Sequence, residues 1–206
     1  MRLWPNCQTG MNFGRVRVHF FFSSGMALAI TLAAAQRPPV TILHVRSGRA
    51  ELLQQGRLTI LELSTPKRPV QRIALTHPSD YRQGTDAPVD ARVIAESPHR
   101  FLIFTDTFAS NPGNVQGKCG ASETGERFVH VVALGPIPHE TLSALVDSCL
   151  LDLEATPASP EWLAKPDSAG FVGQLVLRFE PHTQPTAVYY LGPGGSVSRP
   201  EIKPNP

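Results

Sequence analysis

Apolar and β-branched residues come in short runs along this chain, each closed by proline, glycine or a cluster of small polar residues. That punctuation limits the possible folds more than any other feature. A brief run bounded by turn formers suits a strand and leaves little room for helix. Residues 40–45, 58–63, 70–75, 92–96, 99–105, 128–134, 171–179 and 186–191 are the predicted strands. The run Phe101 to Phe104 is apolar on both faces, which places its strand near the centre of a sheet. Residues 76–91 are polar, broken by Pro78, Gly84 and Pro88, and read as an exposed loop. Residues 106–127 carry Asn111-Pro112-Gly113, Gly117, Gly120 and Gly125 and read as a long irregular connection.

One segment departs from this pattern. Leu142, Leu145, Val146, Cys149, Leu150 and Leu153 recur at helical spacing, which predicts an amphipathic helix around residues 140–154. Pro157, Pro160 and Pro166 exclude another long helix after it. The expected fold is therefore α+β and mostly β: an antiparallel sheet packed on one amphipathic helix, with a long loop on its surface. No internal repeat is visible.

The N-terminus carries an address. Arg15 and Arg17 precede an apolar stretch from Phe20-Phe21-Phe22 to Ala33-Ala34-Ala35, with small residues at Ala33 and Ala35 and then Pro38-Pro39. A basic lead, an apolar stretch and a small-residue exit make a secretory signal peptide, with cleavage after Ala35. The stretch contains two serines and a glycine and falls short of the ~20 apolar residues that span a bilayer, so no stable membrane insertion is expected after cleavage. Met11 opens the segment in the usual way and is an alternative start. The expected organisation is an N-terminal extension and signal peptide over 1–35, then a single mature domain over 36–206, periplasmic or secreted.

Export decides how the cysteines are read. Loss of residues 1–35 removes Cys7 and leaves Cys119 and Cys149 in an oxidising compartment, where one structural disulfide is expected. That bridge would staple the glycine-rich loop onto the predicted helix. Loss of the same segment also removes Arg2, Arg15 and Arg17, leaving 16 basic against 17 acidic residues and a net charge of −1. No basic footprint for nucleic acid remains.

Complete catalytic motifs are missing. His139-Glu140 supplies the first half of a zinc-protease helix, but Ser143 stands where the second histidine belongs. The stretch from Gly113 to Gly117-Lys118-Cys119 is one residue short of a phosphate loop and ends in cysteine instead of a magnesium-binding hydroxyl. There is no G-x-S-x-G elbow to present a serine. Histidines at 44, 77, 99, 130, 139 and 182 leave a metal or acid–base site open to composition alone. His130 shares a strand face with Phe128, Val132 and Leu134 and reads as a satisfied core or edge histidine. Asp106, Glu123 and Glu126 read as solvated loop charges, with a carboxylate cluster at the loop mouth as the alternative. No catalytic residue, metal ligand or cofactor is assigned.

The stretch Asn111-Pro112-Gly113-Asn114-Val115-Gln116-Gly117-Lys118-Cys119-Gly120-Ala121-Ser122-Glu123 resembles the Gly-rich C-G-A-G-x-E segment of exported proteobacterial proteins that have no assigned activity. Ser122 and Glu123 depart from that pattern, which has glycine followed by a spaced acid. The resemblance implies a bacterial envelope protein with a structural disulfide and names no substrate.

The functional expectation is a non-enzymatic periplasmic binding or inhibitory protein, with an immunity-type protein against a periplasm-acting toxin as its concrete form. Its partner would be another envelope protein. Asn111, Asn114, Gln116, Lys118, Glu123 and Glu126 of the long loop would form the binding surface. Two alternatives stand beside it. One is a hydrolase or metal-dependent enzyme using His99 or His130 with Asp106 or Glu126; the other is an envelope-assembly component.

Overall fold

A computed structural model describes residues 40–46, 48–56, 58–66, 68–77, 87–109, 125–149 and 151–204. These fold into twelve strands, and among them there is no helix. The first sheet is a meander of β1 (Val40–Val45), β2 (Gly48–Gln55), β3 (Leu58–Thr65) and β4 (Arg68–Leu75). A second meander follows: β5 (Asp90–Ser97), β6 (Phe101–Phe108), β7 (Glu126–Ala133) and β8 (His139–Asp147). The third sheet has the order β12-β11-β10-β9, built from β9 (Glu161–Leu163), β10 (Gly173–Leu177), β11 (Thr186–Leu191) and β12 (Glu201–Lys203). Every strand pair is antiparallel.

Two-residue connections set the register of the first sheet. β2, β3 and β4 each have eight residues and follow the previous strand after two, so the chain reverses every ten residues. This repeat is one of length and not of residue identity, which hides it from sequence comparison. Gly56 supplies the backbone of the second reversal with φ 59°, a region that side chains rarely enter. Alternation then sends Leu43, Ala50, Leu52, Leu61, Leu63, Ile73 and Leu75 inward, while Glu51, Glu62 and Arg72 align across the outer face.

The inward face packs on Leu102, Phe104 and Val132 of the second sheet. The opposite face of that sheet, with Phe101, Ile103, Val129 and Val131, packs on Leu175, Leu177, Ala187 and Leu191 of the third. The second sheet is thus the middle layer of three, and β6 and β7 are apolar on both sides because neither side meets water. The first two sheets also meet along both edges, β1 beside β5 and β4 beside β8. Thr41 Oγ1 donates to the Pro88 carbonyl at 2.7 Å on one edge, and the Thr76 amide donates to Glu140 Oε2 at 2.8 Å on the other.

The architecture corrects the expected α+β fold with its amphipathic helix. Residues 139–147 form strand β8, the outer partner of β7, and Cys149 lies just past its end. Two irregularities explain the misleading spacing. Val131 and Val132 pair with Leu142 and Glu140, skipping Thr141; Arg127 and Phe128 pair with Asp147 and Leu145, skipping Val146. Each extra residue shifts the strand's alternation by one, so Leu142, Ala144, Leu145 and Val146 all pack on one core, while Cys149 and Leu153 lie past the strand's end. Among the described residues no helix is therefore present for a disulfide to staple the loop onto. Cys149 is the one cysteine among the described residues and is disulfide-bonded, while Cys119 lies outside them.

Smaller differences follow the same logic. β2, β9 and β12 have no counterpart among the predicted strands, whereas β11 occupies the predicted residues. Asp106 and Arg127, expected in the irregular connection, belong to β6 and β7. Ala91, expected in an exposed loop, is part of β5.

Gly173 on β10 tests the packing of the third sheet, because a Cβ there would overlap the Trp162 ring and the Leu163 carbonyl. Gly173→Ala is expected to lower stability by about 1–3 kcal/mol, seen as a lower midpoint in urea unfolding. Gly194→Ala, in a turn with open space around it, is expected to leave the midpoint within error.

Candidate functional site

Alternation along β6 and β7 points Leu102, Phe104, Phe128 and Val132 into the space between the first two sheets, and it points Asp106 and His130 there as well. Both of these polar side chains are fully buried. A carboxylate and an imidazole in an otherwise apolar layer must satisfy each other or be driven neutral. They satisfy each other: His130 Nε2 lies 3.0 Å from Asp106 Oδ1.

The chain of contacts continues in both directions. Glu140 of β8 approaches the other ring nitrogen, with Oε1 2.6 Å from His130 Nδ1. His77, two residues past the end of β4, places Nε2 2.9 Å from Asp106 Oδ2. Because ionised Asp106 can only accept, His77 must donate through Nε2. Glu140 Oε2 takes the Thr76 amide, and Ser143 Oγ donates to the Thr76 carbonyl. The backbone leaving β4 is thus tied to the middle sheet by three side chains, those of Asp106, Glu140 and Ser143.

Aromatic rings wall the group. The Phe104 ring stacks on His130 at 5.0 Å and 25°, and His77 meets Phe108 and Phe128 edge-on at 5.0 and 4.8 Å. Burial alone would push the Asp106 pKa up and the His130 pKa down. Mutual attraction and hydrogen bonding outweigh it, with Asp106 lowered to about 2 and His130 raised to about 9. At neutral pH Asp106 is a carboxylate and His130 an imidazolium. His77, Asp106 and His130 also bring two ring nitrogens and a carboxylate oxygen within 4.8 Å of one another, a donor set that metals use.

The structure brings together His130 and Asp106. His99 sits exposed in the turn between β5 and β6 with φ 62°, at the opposite end of β6 from Asp106. Glu126 is buried at the start of β7, opposite Phe108, and not displayed on a loop. Asn111, Asn114, Gln116, Lys118 and Glu123 lie outside the described residues. His130 is the satisfied interior histidine that its strand pattern suggests. His77 and Glu140 complete the group, and neither is recognisable in sequence. His77 sits in a segment without periodicity, and Glu140 lies on a strand whose alternation a bulge interrupts.

No protein-family model, curated protein or solved structure matches this chain.

Removing one member of a buried ionic group strands the others. Asp106→Asn, which removes the fully buried counter-charge at His130 Nε2, is expected to cost about 3–5 kcal/mol in urea unfolding. Glu140→Gln keeps one acceptor oxygen and sets an NH2 donor against either His130 or the Thr76 amide, and a smaller loss of about 1–3 kcal/mol is expected.

Proposed function

We propose that this chain is an exported, non-enzymatic binding or inhibitory protein of the bacterial envelope, and that its immunity-type form neutralises a toxin acting there. The observation that carries the reading is the gathering of four strand ends around one buried charged group. His77 leaves β4 against Phe108 and Phe128, while the Val89 amide donates to the Thr107 carbonyl at 2.7 Å and Phe108 pairs with Glu126. The connections over 76–89 and 109–125 therefore start and finish at the same end of the paired sheets. Binding surfaces are commonly carried on connections rooted in a rigid scaffold. Fixing the roots lowers the ordering cost paid when a partner binds. The second connection, with Asn111, Asn114, Gln116, Lys118 and Glu123, supplies polar contact groups and the glycines that allow close approach of another chain.

Catalysis at His130 and Asp106 would have to work inside a sealed layer, since both side chains have no exposed surface and both ring nitrogens of His130 are engaged. That arrangement suits a scaffold better than a hydrolase.

Gentle affinity purification of the chain from its native cells, followed by mass spectrometry, tests the proposal. One stoichiometric protein partner is expected, with affinity falling at least tenfold in Lys118→Ala and Glu123→Ala. Equal capture by these variants, or recovery only with membrane or peptidoglycan, would remove this reading. The same sample tests export, because the intact mass is expected to correspond to a chain beginning at Gln36.

A further inference from the structure

We propose that His77, Asp106 and His130 bind one divalent transition-metal ion of the zinc class, with Glu140 orienting His130 from behind. This goes beyond the binding reading above and does not rest on it. Two imidazole nitrogens and one carboxylate oxygen form a borderline donor set suited to zinc, cobalt, nickel or ferrous iron and poorly suited to calcium or magnesium. The donors come from three separate segments: the exit of β4, the end of β6 and the middle of β7.

Spacing fits a shell that has yet to close. His77 Nε2 lies 2.9 Å from one Asp106 oxygen and His130 Nε2 lies 3.0 Å from the other, so an ion ligated by a single Asp106 oxygen requires the two rings to converge on it. The widest separation in the set, at most 4.8 Å, must shorten. The backbone before His77 is fixed at Thr76 by Glu140 and Ser143, so the adjustment falls to rotation of the His77 side chain against Phe108 and Phe128.

The surroundings match what a ligating histidine needs. Such a residue usually donates its second ring N–H to a carboxylate, which fixes the tautomer and turns the other nitrogen to the ion. Glu140 holds His130 Nδ1 in that way, and is itself held by the Thr76 amide. Charge points the same way. Asp106 and Glu140 flank His130 beside Phe104, Phe108 and Phe128, and among the described residues no lysine or arginine pairs with either carboxyl group, so His130 is the one cation they share. A divalent cation cancels both, while the two histidines bind as neutral rings and His130 releases its Nε2 proton to solvent.

The experiment uses the full chain, treated with chelator, dialysed and checked for native circular dichroism, then titrated with Zn2+ and separately with Co2+. One ion per chain is expected, with Co2+ showing the visible bands of nitrogen and oxygen ligands and none of thiolate. His77→Ala removes a ligand yet leaves the Asp106–His130–Glu140 contacts, so it is expected to fold and to bind at least a hundredfold more weakly. Glu140→Gln is expected to weaken binding ~10–100-fold while retaining all three ligands. His182→Ala, an exposed turn residue, is expected to match the parent chain. No uptake by the folded protein at micromolar Zn2+, unchanged affinity in His77→Ala, or thiolate bands with Co2+ would overturn the proposal.

Discussion

Strands β6 and β7 have no side that faces water, and the rest of the architecture follows from that condition. Two adjacent strands that are apolar above and below cannot sit in a single solvated sheet. Each face requires a cover. The β1–β4 meander supplies one and the β9–β12 sheet the other. The edges need partners too, because an unpaired strand edge leaves backbone donors and acceptors exposed to unintended pairing. β5 and β8 provide them, and β8 accepts two bulges in order to fit β7 along its length.

A layer closed in this way makes any ionisable side chain within it expensive. Asp106 and His130 are tolerated there because each is the other's counter-charge, and because Glu140 and His77 complete the hydrogen bonding. The same contacts anchor the exit of β4, so one polar group does two jobs. It neutralises charge in the interior, and it joins the first sheet to the second at an edge where no backbone ladder runs between them.

Much of the β framework was legible in the sequence because alternation and turn residues are local signals. The runs over 40–45, 58–63, 70–75, 92–96 and 186–191 all became strands, and the doubly apolar Phe101 to Phe104 marked the central strand. β8 does not show as a strand in the sequence because its two bulges break the alternation, and Leu142, Leu145 and Val146 happen to stand at helical spacing. β2 was missed because Gly48, Arg49 and Gln54-Gln55 dilute its apolar residues, although Ala50, Leu52 and Leu53 are buried. For the site, the burial of His130 could be anticipated from its neighbours on β7. The convergence of His77, Asp106 and Glu140 on it could not, since it depends on contacts spanning 10 to 29 positions in sequence.

The ten-residue meander of the first sheet also bears on the order in which the molecule assembles. Its three reversals each join neighbours in sequence, so β1–β4 incurs little loop-closure entropy and is the part of the chain best able to form early. The contacts linking β4 to β8, such as Thr76 with Glu140 and Ser143, join residues 64 and 67 positions apart and can close only after the second meander exists. Until then the apolar face of the first sheet has no cover. A chain made N-terminus first would therefore carry a sticky half-sandwich during synthesis, and the buried ionic group would be among the last contacts to form.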